Sequence, residues 1–401
     1  MFFDLIPGAL YIHIPFCRKK CSYCDFFSIP LSTSCSGSFS SAVKDSFIDS
    51  ILKETIAQIS YFNKELSISS LRTIYMGGGT PSVIGAERLE EFIKTIVSMY
   101  SDLPEEFSVE VNPETVNRDL IKILNNLPVT RISLGVQSFN QKMFDTLGRS
   151  AALESAYSAL EMLKKYSDKK ISIDLISSIP GQAVSEALSD ITTALSFKPD
   201  HISLYYLTIE EGTKLHKKFT EKDQDDKCWI ESCELLEALG YDHYEVSNFC
   251  LPGEECLHNV NYWKMEPYIG CGLSAVSTYY SDGLFYRISV TDDPGLFLKA
   301  ETHSWGMKKE VISNSDFLIE LLMMGLRTKH GVDLEEISKF FDIDLKKLLE
   351  PVISKWDKKG FAALSNSRLS LNKKGRYFHS SFMIDIMECI EMQTKAFADI
   401  C

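Results

Sequence analysis

The chain lacks the features that mark membrane-spanning and exported proteins. No apolar run in its 401 residues approaches the roughly 20 residues that a helix needs to cross a bilayer. The opening MFFDLIPGAL has no basic n-region, and Asp4 and Pro7 interrupt its short apolar stretch, so no secretory signal is predicted. The 11 cysteines, an odd number, argue against a disulfide framework. We therefore expect a cytoplasmic protein with reduced thiols and no membrane span; peripheral contact with a membrane stays open.

An excess of positive charge is also missing. The chain has 42 Lys and Arg against 55 Asp and Glu, a formal net charge of −13. Because nucleic-acid binding depends on clustered Lys and Arg, this balance argues against a nucleic-acid partner. The length allows one large domain and a smaller one.

Strand-like runs alternate with amphipathic helical segments from Ala9 to about Phe249. The strand-like runs are ALYIHIPF, LRTIYMGG, EFSVEVNP, VTRISLGVQS, KKISIDLISSIP and HISLYYLTI. Such alternation is typical of parallel strands joined by right-handed helical crossovers. Six units at similar spacing predict an α/β fold that forms a barrel or a partial (β/α)6 TIM-like barrel rather than an open sheet. A Ser-rich segment, residues 32–41, is predicted to be a loop.

The pattern changes beyond about Asp292. It indicates a helix, a helix pair and then a short hairpin, which predicts a small α+β, winged-helix-like domain. We place the domains at 1–291 and 292–401. The basic wing LNKKGR is short and the chain is acidic. For this domain, both features favour a role in packing, dimerisation or docking over DNA binding. Monomer and dimer both stay open.

Polar residues stand near the ends of the predicted strands. They include the cysteines after the first strand, the glycines after the second, Glu110 and Asn112 in the third, Gln137 in the fourth and Asp174 in the fifth. In α/β barrels the carboxyl ends of the strands form the face that carries the site. We therefore expect these residues to converge.

Three cysteines, Cys17, Cys21 and Cys24, form a C-x3-C-x2-C run directly after the first strand. A structural zinc site needs four ligands, so zinc would require Cys35 or a distant histidine as well. Three thiolates suit a [4Fe–4S] cluster that leaves one iron open. An open iron can bind the amino and carboxylate groups of S-adenosylmethionine (SAM).

The ordered motifs resemble the radical SAM superfamily. Within it, the chain is similar to the oxygen-independent coproporphyrinogen III oxidases and their heme-chaperone relatives of the HemW type. The resemblance covers nearly the whole chain through YIHIPFC, CSYCDF, GGGTPS, EVNPE, RISLGVQSFN, DLISSIPGQ, YEVSNF and HNVNYW. It implies a [4Fe–4S] cluster on the three cysteines, SAM, and an electron donor for the cluster.

The resemblance also implies which residues contact SAM. Glycines let a backbone approach the ligand, carboxylates accept from an ammonium or hydroxyls, and a guanidinium suits a carboxylate. Taken singly, these residues are more typical of tight turns, paired acids, strand caps and solvated helix ends. The residues implied for SAM are Tyr11, Gly78, Gly79, Thr80, Glu110, Gln137, Arg149 and Asp174.

The residue at position 26 distinguishes the two functions found among the similar proteins, and here it is Phe26. The oxidases carry a fourth, non-ligand cysteine where this chain has Phe26, and a longer N-terminal extension. Phenylalanine can neither donate a proton nor act as a thiol, so the enzyme assignment is in doubt. The resemblance therefore implies a chaperone that holds heme and transfers it to an acceptor protein. The alternative is an oxidase that converts coproporphyrinogen III to protoporphyrinogen IX.

The segment near 240–290 carries the implied porphyrin site. His258, in CLHNVNYW, matches an H-N-x-x-Y-W motif, which implies a heme ligand. A histidine beside aromatics is also typical of a hydrogen-bonded structural residue. Cys256 is a further candidate ligand, while a zinc site of Cys250, Cys256 and His258 lacks a fourth ligand. Val276 stands where relatives commonly carry a histidine, so one further candidate for porphyrin contact is absent.

Overall fold

The computed structural model describes residues 6–31, 44–149, 152–299 and 304–398, with side chains in the last helix up to residue 392. The predicted Ser-rich loop and Cys35 lie outside these residues. Within them, one large sheet with helices and a smaller C-terminal module account for the regular structure.

The strands of the described part are mostly six residues or shorter. In chain order they are β1 (Ala9–Ile14), β2 (Phe16–Cys17), β3 (Ile29–Pro30), β4 (Thr73–Gly78), β5 (Glu106–Val111), β6 (Arg131–Gln137), β7 (Lys170–Ser177), β8 (His201–Tyr206), β9 (Asp242–His243), β10 (Asn248–Cys250), β11 (Tyr268–Cys271), β12 (Val276–Ser281), β13 (Leu284–Ser289), β14 (Lys308–Ile312), β15 (Val332–Asp333), β16 (Ala362–Ser365) and β17 (Arg368–Leu371).

The α-helices lie mainly between successive strands. In chain order they are α1 (Asp45–Glu65), α2 (Ala86–Val97), α3 (Arg118–Asn126), α4 (Gln141–Leu147), α5 (Leu153–Tyr166), α6 (Val184–Ser196), α7 (Asp226–Ala238), α8 (Leu257–Trp263), α9 (Pro294–Phe297), α10 (Asn314–Arg327), α11 (Leu334–Phe341), α12 (Leu345–Lys358), α13 (Lys373–Tyr377) and α14 (His379–Ala398).

The large sheet has a parallel centre and antiparallel margins. Its order is β14-β13-β12-β11-β1-β4-β5-β6-β7-β8-β10-β9, and the six strands from β1 to β8 in this order all run parallel. Each is followed along the chain by at least one helix. Among the described strands, the edges β14 and β9 do not pair, so the sheet is not closed into a full barrel. The predicted partial barrel of six βα units is confirmed.

The helices cover the outer face of this sheet with apolar side chains. In α2 the buried residues are spaced at intervals of three and four, as a one-sided helix requires: Leu89, Phe92, Ile93 and Ile96. On β4 the outward residues Ile74 and Met76 are fully buried. The inner face of the six strands is polar by contrast, and this face forms the cavity described below.

A buried ion pair closes the amino end of the strands. Glu106 and Arg131 begin β5 and β6, and Arg131 Nη2 lies 3.2 Å from Glu106 Oε2, with the side chains 2% and 6% exposed. The same carboxylate accepts hydrogen bonds from the backbone N–H groups of Leu257 (3.1 Å) and His258 (3.0 Å). Helix α8 is thereby fixed across the amino end of the barrel.

The C-terminal module has its own sheet and core. Strands β15, β17 and β16 form a three-stranded antiparallel sheet, and α10, α11 and α12 pack a second apolar cluster with it. This arrangement agrees with the predicted winged-helix-like domain. The domain limits 1–291 and 292–401 stay a prediction; β14 adds to the large sheet through its pairing with β13.

In the described part of the chain, no helix is both long enough and apolar enough to cross a membrane.

Removing the cation of the buried pair tests its contribution to stability. We expect Arg131→Met to lower the free energy of unfolding by about 3 to 5 kcal/mol, because Glu106 is left buried without its counter-charge. Urea unfolding followed by circular dichroism measures this. The control is Arg118→Met, since Arg118 is exposed and contacts Tyr166 at the surface. Equal losses in the two variants would contradict the prediction.

Candidate functional site

One cavity inside the barrel collects the residues that the sequence pointed to. Its volume is about 660 Å³, and a side chain from each of the six parallel strands lines it: Tyr11, Tyr75, Glu110, Ser133, Asp174 and Tyr205. Most of the other candidate residues also line it: Cys17, Cys21, Cys24, Phe26, Gly78, Gly79, Thr80, Gln137, Arg149 and His258. Residues up to 250 positions apart in sequence are thus brought together.

The cysteine loop is tied to the carboxyl side of the barrel by backbone hydrogen bonds. The N–H of Ser22 donates to the Leu147 carbonyl, and the Ser22 carbonyl accepts from the N–H of Leu215, both at 2.8 Å. The ring of His13 forms a 3.0 Å hydrogen bond with the carbonyl of Phe27. All three thiols of the run are partly exposed toward the cavity.

The donor set fits a cluster better than a single ion. In the described residues, no three or more His, Cys, Asp or Glu side chains are grouped closely enough to hold one metal ion. Ligands of a cubane bind three different irons, so they need not converge on one point. The zinc alternative with Cys250, Cys256 and His258 has no such group either. Burial raises the pKa of Cys17 to about 11, and a bound metal would favour its thiolate.

The glycines are required where the loop after β4 crosses the cysteine segment. Gly78 has φ +93°, and its N–H donates to Glu110 Oε2 at 3.1 Å. A methyl group on Gly78 would collide with the His13 ring, and one on Gly79 would meet the backbone of Ile14 and Phe16. Only glycine satisfies both the conformation and the close approach.

Two buried carboxylates face the cavity. Glu110 Oε1 accepts a 2.9 Å hydrogen bond from the Tyr75 hydroxyl, and burial, followed by the charge of Asp174, raises the pKa of Glu110 to about 7. Both oxygens of Asp174 lie 3.0 Å from Ser133 Oγ, and burial raises the pKa of Asp174 to about 6. Asp174 is the fifth of eight residues in β7, so it lies deeper than the strand end. Both carboxylates can therefore accept from cationic or hydroxyl groups of a ligand.

Arg149 connects the cysteine loop to the barrel wall. Its Nη2 donates to the Gly135 carbonyl at 2.7 Å and to Asn112 Oδ1 at 3.2 Å, and its Nη1 lies 3.6 Å from Cys21 Sγ. Asn112 in turn donates to Thr80 Oγ1 at 2.8 Å. Gln137 sits at a β-bulge with φ +74°, which turns the chain after β6. This network places a cation beside one thiol.

His258 lies at the opposite end of the cavity from the cysteines. It is fully buried, and its Nδ1 and Nε2 form hydrogen bonds with Thr73 Oγ1 (2.9 Å) and the Tyr262 hydroxyl (3.0 Å). Thr73 is the first residue of β4, which puts His258 at the amino end. Burial lowers the pKa of His258 to about 3, so the ring is neutral. Neither Cys256, which donates to Glu106, nor Val276 lines the cavity.

Several cavity residues were missed by the sequence reasoning. Tyr75 lies opposite Tyr11 on the adjacent strand, where the two rings stack with centroids 6.4 Å apart. Ser133 and Gly135 lie four and two residues before Gln137 in β6 and line the same cavity. Since strand residues two apart share a face, extending the period of two back from Gln137 would have found both.

Comparisons with known proteins show the family of this chain. Residues 11–194 match the model of the radical SAM superfamily, and residues 312–378 match that of the HemN C-terminal domain. Heme chaperone HemW from Lactococcus lactis is 33% identical over 377 residues, which cover 92% of this chain and 94% of the relative. The relative of the same name from Escherichia coli is 32% identical, covering 74% and 76%.

A solved structure supports the same fold. The radical SAM coproporphyrinogen III oxidase HemN from Escherichia coli superposes with a TM-score of 0.78, covering 95% of this chain and 90% of that one. At 19% sequence identity this likeness concerns the fold alone.

The effect of steric crowding at Gly78 on stability can be measured separately from the effect of its backbone conformation. We expect Gly78→Ala to destabilise the chain by about 1 to 3 kcal/mol more than Gly85→Ala, because both have positive φ but only Gly78 faces another side chain. Urea unfolding measures both variants. Gly85, with φ +97° and open space around its missing Cβ, is the matched control. A loss no greater than that of the control would refute the close-packing argument.

The raised pKa of Glu110 predicts a dependence of stability on pH. Its folded pKa of about 7 exceeds the ordinary value of 4.5, so the folded chain holds the extra proton between these values. Relative to Glu110→Gln, wild-type stability should therefore fall by about 3 kcal/mol from pH 4.5 to pH 7.5 and then level off. Denaturation curves at several pH values measure the difference, and a flat or rising difference would be inconsistent with a raised pKa.

Proposed function

Because the chain belongs to the HemW family of radical SAM proteins, we propose that it is a cytoplasmic heme chaperone, which holds heme and transfers it to an acceptor protein. The observation that carries this proposal is the likeness along nearly the full length of both chains to a relative named as a heme chaperone. The acceptor is a protein that takes up heme.

Cys17, Cys21 and Cys24 are the proposed ligands of a [4Fe–4S] cluster. Their loop is fixed to the barrel by the Ser22 hydrogen bonds, and all three line the cavity. When bound, the cluster supplies a single electron to SAM at its open iron, which requires an electron donor. Arg149 places a guanidinium beside this loop, with Nη1 3.6 Å from Cys21 Sγ.

The proposed SAM site is the wall of the cavity next to this loop. Gly78 and Gly79 line this wall without side chains, and Thr80 adds a hydroxyl. Glu110 and Asp174 supply acceptors for an ammonium group or ribose hydroxyls, and Arg149 suits a carboxylate. Tyr11 and Gln137 complete the lining residues that the sequence singled out.

Phe26 supports a chaperone over an oxidase. Its side chain is 68% exposed and lines the cavity near the cysteine loop. A phenyl ring can neither donate a proton nor form a thiyl radical, so this position offers none of the chemistry of a thiol.

His258 is proposed to contribute to heme binding through α8. As packed, both ring nitrogens are engaged, so iron binding at Nε2 would replace the hydrogen bond with Tyr262. Without that exchange, His258 contributes by fixing α8 to β4 through Thr73.

Heme titration of the reconstituted chain tests the proposed function. We expect wild type, loaded anaerobically with iron and sulfide, to bind heme and pass it to an apo-protein heme acceptor. Replacing any one of the three cysteines by Ala should abolish the cluster absorbance, and His258→Ala should weaken heme binding while the cluster stays. Visible spectra and a transfer assay measure these outcomes.

The control is Cys389→Ala, a partly buried thiol of the C-terminal module outside the cavity. It should keep both the cluster and heme binding. If wild type neither binds nor transfers heme but steadily converts coproporphyrinogen III, the chaperone proposal is wrong and the chain is an oxidase. Cluster absorbance that survives all three cysteine changes would reject the ligand assignment.

A further inference from the structure

A second cavity lies on the other side of α8, against the C-terminal module. Its volume is about 560 Å³, within the range of cofactor sites, and none of the residues assigned above to the cluster or SAM lines it. Its apolar lining comes from α8 and from α10, β15 and α11: Leu257, Val260, Trp263, Leu321, Val332 and Ile337. Helix α8 is therefore a wall shared by two cavities.

The two faces of α8 carry different chemistry. His258 and Tyr262 face the barrel, where their side chains hydrogen-bond to each other. Trp263 faces the second cavity, and its buried indole N–H has no hydrogen-bond partner among the described residues. One face of Trp263 is covered by the Arg327 guanidinium at 4.6 Å. An aromatic plane with a free donor is thus available to a ligand.

The second cavity also contains an imidazole suited to bind a metal. His330 lines it, is exposed, and its ring has no hydrogen-bond partner in the described part of the chain. Partial desolvation and then the charge of Lys329 lower the pKa of His330, which favours the neutral, ligating form. Unlike His258, it can reach an iron without breaking an existing bond.

The rim supplies charges of both signs. The cations are Arg72, Lys264 and Arg368, and the carboxylates are Glu255, Glu266, Asp333 and Glu336. Asp333 is already occupied by two N–H groups of α11 and the Ser367 hydroxyl. Arg72 pairs with Glu105 at 3.1 Å and Arg368 with Asp333 at 3.9 Å, and their side chains are 42% and 52% exposed. Because exposed ion pairs of this kind are weak, either guanidinium can exchange its partner for a carboxylate of a ligand.

We propose that heme binds in this second cavity, between α8 and the C-terminal module, with His330 as its axial ligand. The inference rests on the proposed function and deepens it. The apolar floor would hold the macrocycle, the indole and guanidinium groups would meet its carboxylates, and His258 would act as a positioning residue that fixes α8 from the barrel side.

Spectra of heme complexes test this assignment. We expect His330→Ala to remove the absorption and magnetic signature of histidine-ligated heme and to weaken binding about tenfold or more, the scale of lost metal-site contacts. Added free imidazole should restore the signature in this variant. His258→Ala should keep the signature and lose affinity only. His216→Ala is the matched control, an exposed histidine outside the cavity.

Each outcome has one meaning. Loss of the signature in His330→Ala, with rescue by imidazole, supports the proposal. Loss in His258→Ala with retention in His330→Ala overturns it and returns the ligand to the barrel side, while the proposed function stands. If wild type binds no heme at all, the proposed function itself fails. Because His330 is exposed, its substitution should leave folding unchanged, which circular dichroism checks.

Discussion

The carboxylate of Glu106 holds the amino end of this molecule together. It pairs with Arg131 and accepts the first N–H groups of α8, all away from water. Burying a charge is costly unless an opposite charge and hydrogen bonds compensate, and here both are present. Because its partners come from β6 and α8, one buried group joins the parallel sheet to the segment that carries His258.

Fixing α8 in this way creates two compartments. On the barrel side, the polar inner faces of six strands surround a cavity that ends at the cysteine loop. On the other side, apolar residues of α8 and the C-terminal module enclose a cavity of similar size. The electron transfer proposed at the cysteine loop and the proposed heme binding can therefore occupy separate cavities, with α8 between them.

At the carboxyl end, the site depends on a loop that has little regular structure of its own. Hydrogen bonds from Ser22 to Leu147 and Leu215 hold it, and Arg149 links Cys21 to the barrel wall. The glycines of the next loop are needed because His13 and the backbone near Phe16 approach them closely. The position of the three thiols is thus set by neighbours more than 50 residues away along the chain.

The sequence by itself determined the βα alternation, the cysteine run and the strand-end residues, because these depend on local spacing and on the period of two in a strand. Asp174 was placed on the correct strand but too near its end. Only the tertiary structure decided that both nitrogens of His258 are bonded, that Cys256 turns toward Glu106, and that His330 lies across a cavity from α8. The hydrogen-bond partners of a buried polar group come from segments that are distant in sequence. The residues next to that group in the chain therefore cannot predict them.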